Sequence, residues 1–172
     1  MADSKSLLRE LDEALFKGSA ASRERALWHA TDLLISGRYS EEQIWIFGEV
    51  IGRLAEEIEV TARAQLSKRL APVEYAPTKM INTLAFDDSI DVAGPVLRQS
   101  ERLDTRSLIA NAKSKSQQHL LAISQRKSLV EAVTDVLVVR GDKNVAHSVT
   151  ANQGASFSKF GFHFPKSGKA IS

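Results

Sequence analysis

Short helices with frequent caps fill the chain beyond Pro72, and this pattern constrains the fold more than any other feature of the sequence. Apolar residues recur there every three or four positions, which is the spacing of one face of an α-helix. Each apolar stripe is short, and the next one follows a residue that favours a helix start, such as Asp104, Ser116, Ser128 or Asp142. The pattern predicts three helix pairs of about 25 residues each, and they lie at 77–100, 104–125 and 128–152.

These helix pairs repeat one another in sequence. A shift of 53 residues places Leu84 on Leu137, Val92 on Val145, Ala93 on Ala146 and Val96 on Val149. A single helix pair has too little apolar surface to bury its own face, so neighbouring pairs must cover one another. We therefore expect an all-α fold, in which an N-terminal helical bundle continues into short HEAT-like αα repeats that form a right-handed solenoid.

Longer helices are predicted for the N-terminal part of the chain. One stripe of leucines runs from Leu7 to Leu15, and a second stripe runs from Leu27 to Leu34. A third helix should begin at Ser40, because the third residue after it is a glutamine that completes a reciprocal capping box. Its apolar stripe is continuous from Ile44 to Ile58 and leads into Ala62, Leu66 and Leu70. Pro72 then ends the region by removing a backbone donor.

The composition is that of one globular domain. The chain has 172 residues, 43% of them hydrophobic, and it has no cysteine, which excludes disulfides and thiolate metal sites. No apolar run approaches the roughly 20 residues that a membrane span needs, and no signal peptide is recognisable, so we expect a cytoplasmic protein. We expect a single domain that comprises N-terminal helices at 1–72, three repeats at 77–152 and a Phe-rich basic segment at 153–172.

The charge is distributed unevenly although the net charge is only +2. Residues 1–60 carry 12 acidic and 7 basic side chains, whereas residues 61–172 carry 9 acidic and 16 basic ones. Such a division is compatible with an anionic partner for the C-terminal part. It is equally compatible with attraction between the two parts, within one chain or between two copies.

Several strings of the sequence resemble those of a bacterial family, domain of unknown function 2336. The strings are Ala64–Leu66, Leu84–Asp88, Val92–Leu97, His119–Ile123 and Asn152–Ala155. The resemblance extends over most of the chain up to about Phe162, and it implies an all-helical, HEAT-like fold and a bacterial cytoplasm. The shared strings are structural, so the resemblance implies no catalytic residue.

No set of residues in the sequence predicts an enzymatic site. The four histidines, His29, His119, His147 and His163, lack the spacing of a metal site, and we expect them to be structural or exposed. His119 and His147 are both predicted on second helices of pairs, where they could face one groove. No phosphate-binding glycine loop or nucleophile motif is present. We predict no catalytic, metal-binding or cofactor-binding residue, and no cofactor.

The aromatic side chains form two groups. Phe16, Trp28, Trp45 and Phe47 are predicted in the core of the N-terminal helices, because large aromatics dominate core burial. Phe157, Phe160 and Phe164 lie at helical spacing among basic residues in the last segment. We expect them to dock on the last repeat of their own chain or of a sister chain, in preference to a partner surface or a membrane interface.

The sequence favours an interaction module over an enzyme. Solenoids commonly bind a protein or peptide along their stacked helices, so a protein partner is the leading hypothesis and its identity stays open. The alternative is a nucleic-acid-binding repeat, suggested by basic residues at the ends of second helices. The candidate surface comprises Arg98, Arg102, Arg126, Lys127, Phe157, Phe160 and Phe164. We also expect a homodimer that meets through its termini.

Overall fold

A computed structural model describes residues 18–158 together with Arg9 and Glu13. Over residues 18–158 the secondary structure consists of nine α-helices and contains no strand. The helices are α1 (Ala20–Ser36), α2 (Glu41–Ala55), α3 (Val60–Leu70), α4 (Thr78–Ala85), α5 (Ile90–Gln99), α6 (Thr105–Ser114), α7 (Gln117–Ser124), α8 (Glu131–Arg140) and α9 (Lys143–Ala151). This part of the chain is all-α, which confirms the predicted fold class. The predicted stripe from Leu7 to Leu15 lies outside the described residues.

Side-chain caps set several of the helix starts. The capping box before α2 is complete, because the Gln43 backbone N–H donates to Ser40 Oγ at 3.2 Å and the Ser40 N–H donates to Gln43 Oε1 at 2.9 Å. Asp104 Oδ1 accepts from the third backbone N–H after it at 2.8 Å, and Asp142 Oδ1 accepts from its third N–H at 3.0 Å. Each of these bonds satisfies a donor that the first helical turn leaves without a helical partner.

The stripe predicted from Ile44 to Leu70 is buried throughout, but it is divided between two helices. Helix α2 ends at Ala55 and α3 begins at Val60. The intervening segment contains three glutamates. Their negative charges are repelled by the negative C-terminal end of α2 and attracted to the positive N-terminal end of α3, which favours a break between the two helices. The break redirects α3, which packs against α5.

The later helices pack as pairs, and the pairs α4–α5, α6–α7 and α8–α9 coincide with the segments predicted from the sequence. The second helices contact one another in series, from α3 to α5, α7 and α9. Among the first helices, α2 contacts α4 and α6 contacts α8. One apolar core extends through all of these helices, and α5 lies at its centre, with residues 92–97 all buried.

The start of α8 differs from the prediction. Ser128 was expected to cap this helix, but α8 begins at Glu131 after Val130. The backbone of Leu129 is extended instead, and it forms an isolated parallel bridge with Ala155. This pairing occurs because the chain turns back after α9 and reaches the beginning of α8. None of the described helices is long and apolar enough to cross a lipid bilayer.

Candidate interaction surface

The basic residues of the predicted surface lie at one edge of the molecule, where the second helices end. Arg126 follows α7, and its guanidinium points into the fold. Its Nη1 donates to the Leu97 carbonyl and its Nη2 to the Ser100 carbonyl, both at 2.7 Å. Burial lowers the pKa of the Arg126 guanidinium, and the Glu101 carboxylate opposes this effect. An arginine nevertheless stays charged at neutral pH, so these are charge-assisted bonds.

The Arg102 side chain also forms hydrogen bonds within the chain. Its Nε donates to the Ala76 carbonyl at 2.7 Å, and its Nη2 lies 3.4 Å from Glu41 Oε2. Arg98 and Lys127 are exposed. Two of the four predicted cations therefore direct donors at the main chain, while the other two face solvent. The interaction role of this set stays a prediction.

The predicted phenylalanines are only partly described. Phe157 is half-buried and packs against the apolar core. Its position agrees with docking on the chain's own last helix pair, which is one of the two alternatives that the sequence left open. Phe160 and Phe164 lie outside the described residues.

Arg126 belongs to a series of side chains that link consecutive helix pairs, and sequence reasoning missed this series. Arg140 Nη1 donates to the carbonyls of Ala112 at 2.6 Å and Lys115 at 2.8 Å, where α6 ends. Asn152 Nδ2 donates to the carbonyls of Ser124 at 2.8 Å and Arg126 at 2.7 Å, where α7 ends.

Asn111 completes the series. Its Nδ2 donates to the Ala85 carbonyl at 2.7 Å, at the end of α4. All these donors reach back 25 to 29 residues, which is the length of one helix pair. They satisfy the carbonyls that a helix end leaves without partners. The sequence does carry a signal for such bonds. An asparagine or arginine recurs near helix ends at intervals close to the length of one helix pair.

The two histidines of the second helices lie in different environments. His119 is only 1% exposed, with Nδ1 2.7 Å from Ser116 Oγ and Nε2 2.8 Å from the Asp87 carbonyl. Because a carbonyl accepts and never donates, Nε2 carries the proton of this bond. His119 thus ties the start of α7 to the turn after α4. His147 is exposed on α9.

Metal ligation has no geometric basis in the part of the chain that the structure describes. No three side chains of His, Asp or Glu converge there in a way that would hold a metal ion. Asp87 instead accepts from Arg63 Nε at 3.1 Å and from the Ser89 backbone N–H at 2.9 Å. These carboxylate contacts stabilise the turn between α4 and α5.

Trp45 was predicted in the core, and this prediction was wrong because its side chain is 62% exposed. The buried stripe of α2 includes Ile44 and Phe47, and Trp45 falls between them on the outward side of the helix. Trp28 is half-buried, with Arg69 lying 5.2 Å from its ring centroid. Phe47 is buried as predicted, whereas Phe16 lies outside the described residues.

Trp45 borders a shallow cleft between α2 and the start of α4. The lining residues are Glu41, Ile44, Trp45, Gly48, Glu49, Pro77, Thr78, Lys79 and Arg102. Its inner end is narrow, because a Cβ on Gly48 would lie 2.7 Å from Pro77 Cβ. Lys79 Nζ and Glu49 Oε1 are 2.7 Å apart at the rim. The cleft therefore combines an exposed aromatic wall with a rim of paired charges.

Part of the chain matches the model of a known protein family. A family described as an uncharacterised protein conserved in bacteria matches residues 92–164. This family is domain of unknown function 2336. The match confirms the resemblance for the strings Val92–Leu97, His119–Ile123 and Asn152–Ala155, whereas Ala64–Leu66 and Leu84–Asp88 lie outside the matched residues. It includes most of α5 and all of α6 to α9, whereas the residues that line the cleft beside Trp45, apart from Arg102, lie outside it. None of the curated proteins and none of the solved structures matches the chain.

Proposed function

We propose that this chain is a non-enzymatic interaction module that binds a segment of a protein partner in the cleft beside Trp45. The observation that carries the proposal is the 62% exposure of the Trp45 side chain at the border of that cleft. Tryptophan is among the residue types that are enriched where a few side chains dominate the binding energy of an interface. A large aromatic side chain left in water at a concave site is stabilised when a partner covers it.

The chemistry of the cleft indicates what the partner offers. The inner surface is apolar, with Ile44, Gly48 and Pro77, and it suits an apolar side chain. The rim carries the ion pair of Lys79 with Glu49. Because these charges are already paired, they suit the polar backbone of an uncharged peptide segment better than they suit a highly charged segment. We therefore propose an uncharged segment with one inserted apolar side chain.

The proposal includes a HEAT-like arrangement of the helix pairs. It is supported by the packing of α3, α5, α7 and α9 in series and by the donor side chains that link each pair to the preceding one. Stacked pairs of this kind form an extended surface on which a partner segment can lie.

The test uses the full chain as bait in an extract of bacterial cells, with Trp45→Ser as the variant. Val60→Ser is the matched control, because Val60 is 42% exposed and lies beyond the far end of α2. A partner retained by the wild type and by Val60→Ser should bind Trp45→Ser about tenfold more weakly or worse, as expected for the loss of an interface hot spot. Equal affinity of the two variants for every retained partner would reject the cleft.

Nucleic-acid binding is the second candidate, favoured by the exposure of Arg98 and Lys127 at one edge. If it is right, the chain should bind short DNA at low salt, and affinity should fall steeply as salt rises because counterions are released. Replacing Arg98 and Lys127 by serine should then weaken binding. If no salt-dependent binding is detected at micromolar protein, nucleic-acid binding is rejected and the protein partner remains as the proposed function.

A further inference from the structure

The cleft beside Trp45 has the size of an aliphatic side chain. Its volume is about 100 Å³. An apolar cavity of about 150 Å³ holds benzene, which is the ring of phenylalanine. The space beside Trp45 therefore suits a side chain of the size of valine, leucine or isoleucine, whereas an aromatic ring would remain partly outside it.

The inner end of the cleft is closed by a close contact between α2 and the start of α4. Gly48 and Pro77 are both buried, and a Cβ on Gly48 would lie 2.7 Å from Pro77 Cβ. Ile44, which forms another part of the wall, is only 4% exposed. Buried groups of this kind yield little, because protein interiors are packed as densely as organic crystals. The cleft therefore cannot deepen to admit a larger side chain.

Arg102 brings to the cleft hydrogen-bond donors that residues 18–158 leave unused. A guanidinium has five N–H donors. The Arg102 side chain donates from Nε to the Ala76 carbonyl at 2.7 Å and from Nη2 to Glu41 Oε2 at 3.4 Å. The bond to Ala76 fixes the guanidinium against the main chain. Arg102 lines the cleft, so its remaining donors are held in place for an acceptor of a bound segment.

The charges of the lining determine which kind of acceptor fits. Lys79 is paired with Glu49, and Arg102 is balanced by Glu41. The lining therefore has no net charge with which to attract a charged segment. A charged group that entered it would lose hydration without gaining an unpaired opposite charge. A main-chain carbonyl needs only a hydrogen bond, and each residue of an extended segment carries one.

We propose that the cleft binds an extended, uncharged segment of a partner protein, which inserts one valine, leucine or isoleucine side chain beside Trp45. Arg102 donates to the main-chain carbonyl next to the inserted residue. The size of the side chain and the role of the carbonyl refine the binding function proposed above and rest on it.

Selection from a phage-displayed library of random linear peptides tests this specificity. The full chain is the bait, and peptides that also bind Trp45→Ser are removed. The remaining peptides should share one valine, leucine or isoleucine without acidic neighbours. In a synthetic peptide, replacing that residue by alanine or by phenylalanine should weaken binding about tenfold or more, since a misfit of one methylene in an apolar pocket already has an effect of this size.

The selection distinguishes failure of the occupant from failure of the binding function. If no peptide depends on Trp45, the proposed function is rejected together with the occupant. Peptides that depend on Trp45 but prefer phenylalanine, tyrosine or tryptophan would overturn the aliphatic segment alone. A requirement for an acidic or basic residue in the peptide would overturn it as well, because the segment would then be charged.

Arg102→Lys tests the donor to the carbonyl. Lysine keeps the positive charge but lacks the planar fork that reaches two acceptors at once. The selected peptide should bind this variant about tenfold more weakly, as expected for the loss of a hydrogen bond from a charged group. The matched control is Arg53→Lys, a change at an exposed arginine of α2 that does not line the cleft, and it should leave the affinity unchanged.

An ester in the peptide separates a direct bond from an effect of Arg102 on the fold. Replacing the amide after the inserted residue by an ester makes its carbonyl a weaker acceptor. The ester should weaken binding to the wild type but have little further effect on Arg102→Lys, because the donor is already lost. Equal losses in the two proteins would show that Arg102 acts only through the fold, and would overturn its role as the donor.

Discussion

At the scale of single residues, the turn after α9 requires Gly154, because this residue has no side chain. Asn152 Oδ1 accepts from the Gly154 N–H at 2.8 Å, which closes a tight turn. The turn brings Gly154 against the main chain of Lys127, so closely that a Cβ would overlap the Lys127 carbonyl oxygen. Glycine is required here because of this close approach. A left-handed backbone is not the reason, since no described residue has a positive φ.

Gly154→Ala should therefore destabilise the protein. We expect a loss of about 2 kcal/mol, because the added methyl group must displace backbone atoms. This corresponds to a fall of roughly 6 °C in melting temperature for a chain of this size. Thermal unfolding followed by circular dichroism measures it.

Gly52→Ala is the control for this substitution. Gly52 lies inside α2, and the nearest atom to its added Cβ is Met80 Sδ at 3.9 Å. Alanine favours a helix over glycine by about 1 kcal/mol, so this variant should be as stable as the wild type or more stable. A Gly154→Ala protein that melts no lower than the Gly52→Ala protein would show that the close approach to Lys127 is absent in solution.

At the scale of helices, the joints between pairs are held by side chains that bond to the end of an earlier helix. Arg126 binds the end of α5, Asn152 binds the end of α7, and Arg140 binds the end of α6. Apolar packing alone allows neighbouring pairs to slide or rotate, because it has little directional preference. Hydrogen bonds to defined carbonyls fix the relative position of each pair.

Arg126→Met tests the contribution of these bonds. The methionine keeps much of the apolar stem of arginine but leaves the carbonyls of Leu97 and Ser100 without their donor. We expect the free energy of unfolding to fall by about 2 kcal/mol, since unsatisfied buried acceptors are costly. Urea denaturation provides the value.

Lys127→Met is the matched control because Lys127 is the next residue and its side chain is exposed. A surface change of this kind should stay within about 0.5 kcal/mol of the wild type. Two variants of equal stability would show that the Arg126 bonds make no net contribution.

At the scale of the whole molecule, one apolar core joins the N-terminal helices to the later pairs. It extends from Leu27 on α1 to Val149 on α9. Ion pairs and hydrogen bonds also cross between the two parts, as with Arg63 of α3 and Asp87 after α4. A continuous core of this kind favours unfolding as one unit.

The positions of the tryptophans allow this expectation to be tested without labels. Trp28 lies on α1 and Trp45 on α2, so tryptophan fluorescence reports on the N-terminal helices alone. Circular dichroism at about 222 nm reports on helices throughout the chain. The two urea transitions should coincide, and a separation of their midpoints would show two units of different stability.

The sequence by itself determined the local features of this protein. Most helix positions, the capping box at Ser40 and the division into pairs follow from hydrogen bonds and apolar spacing over three or four residues. A residue such as Asp142 caps α9 in any surrounding, because the backbone N–H that donates to it lies three residues away. The all-helical class was predictable for this reason, and so was the resemblance that the match to residues 92–164 confirms.

Tertiary structure alone decided which groups meet over longer distances. Helical spacing places Trp45 off the stripe of Ile44 and Phe47, but the cleft that it borders exists only because α4 lies beside α2. Arg126 was read as a surface charge, yet carbonyls 26 and 29 residues earlier accept its bonds. Leu129 is extended because Gly154 and Ser156 return to it. In each case the free energy comes from contacts distant in sequence, and these exist only once the helices have packed.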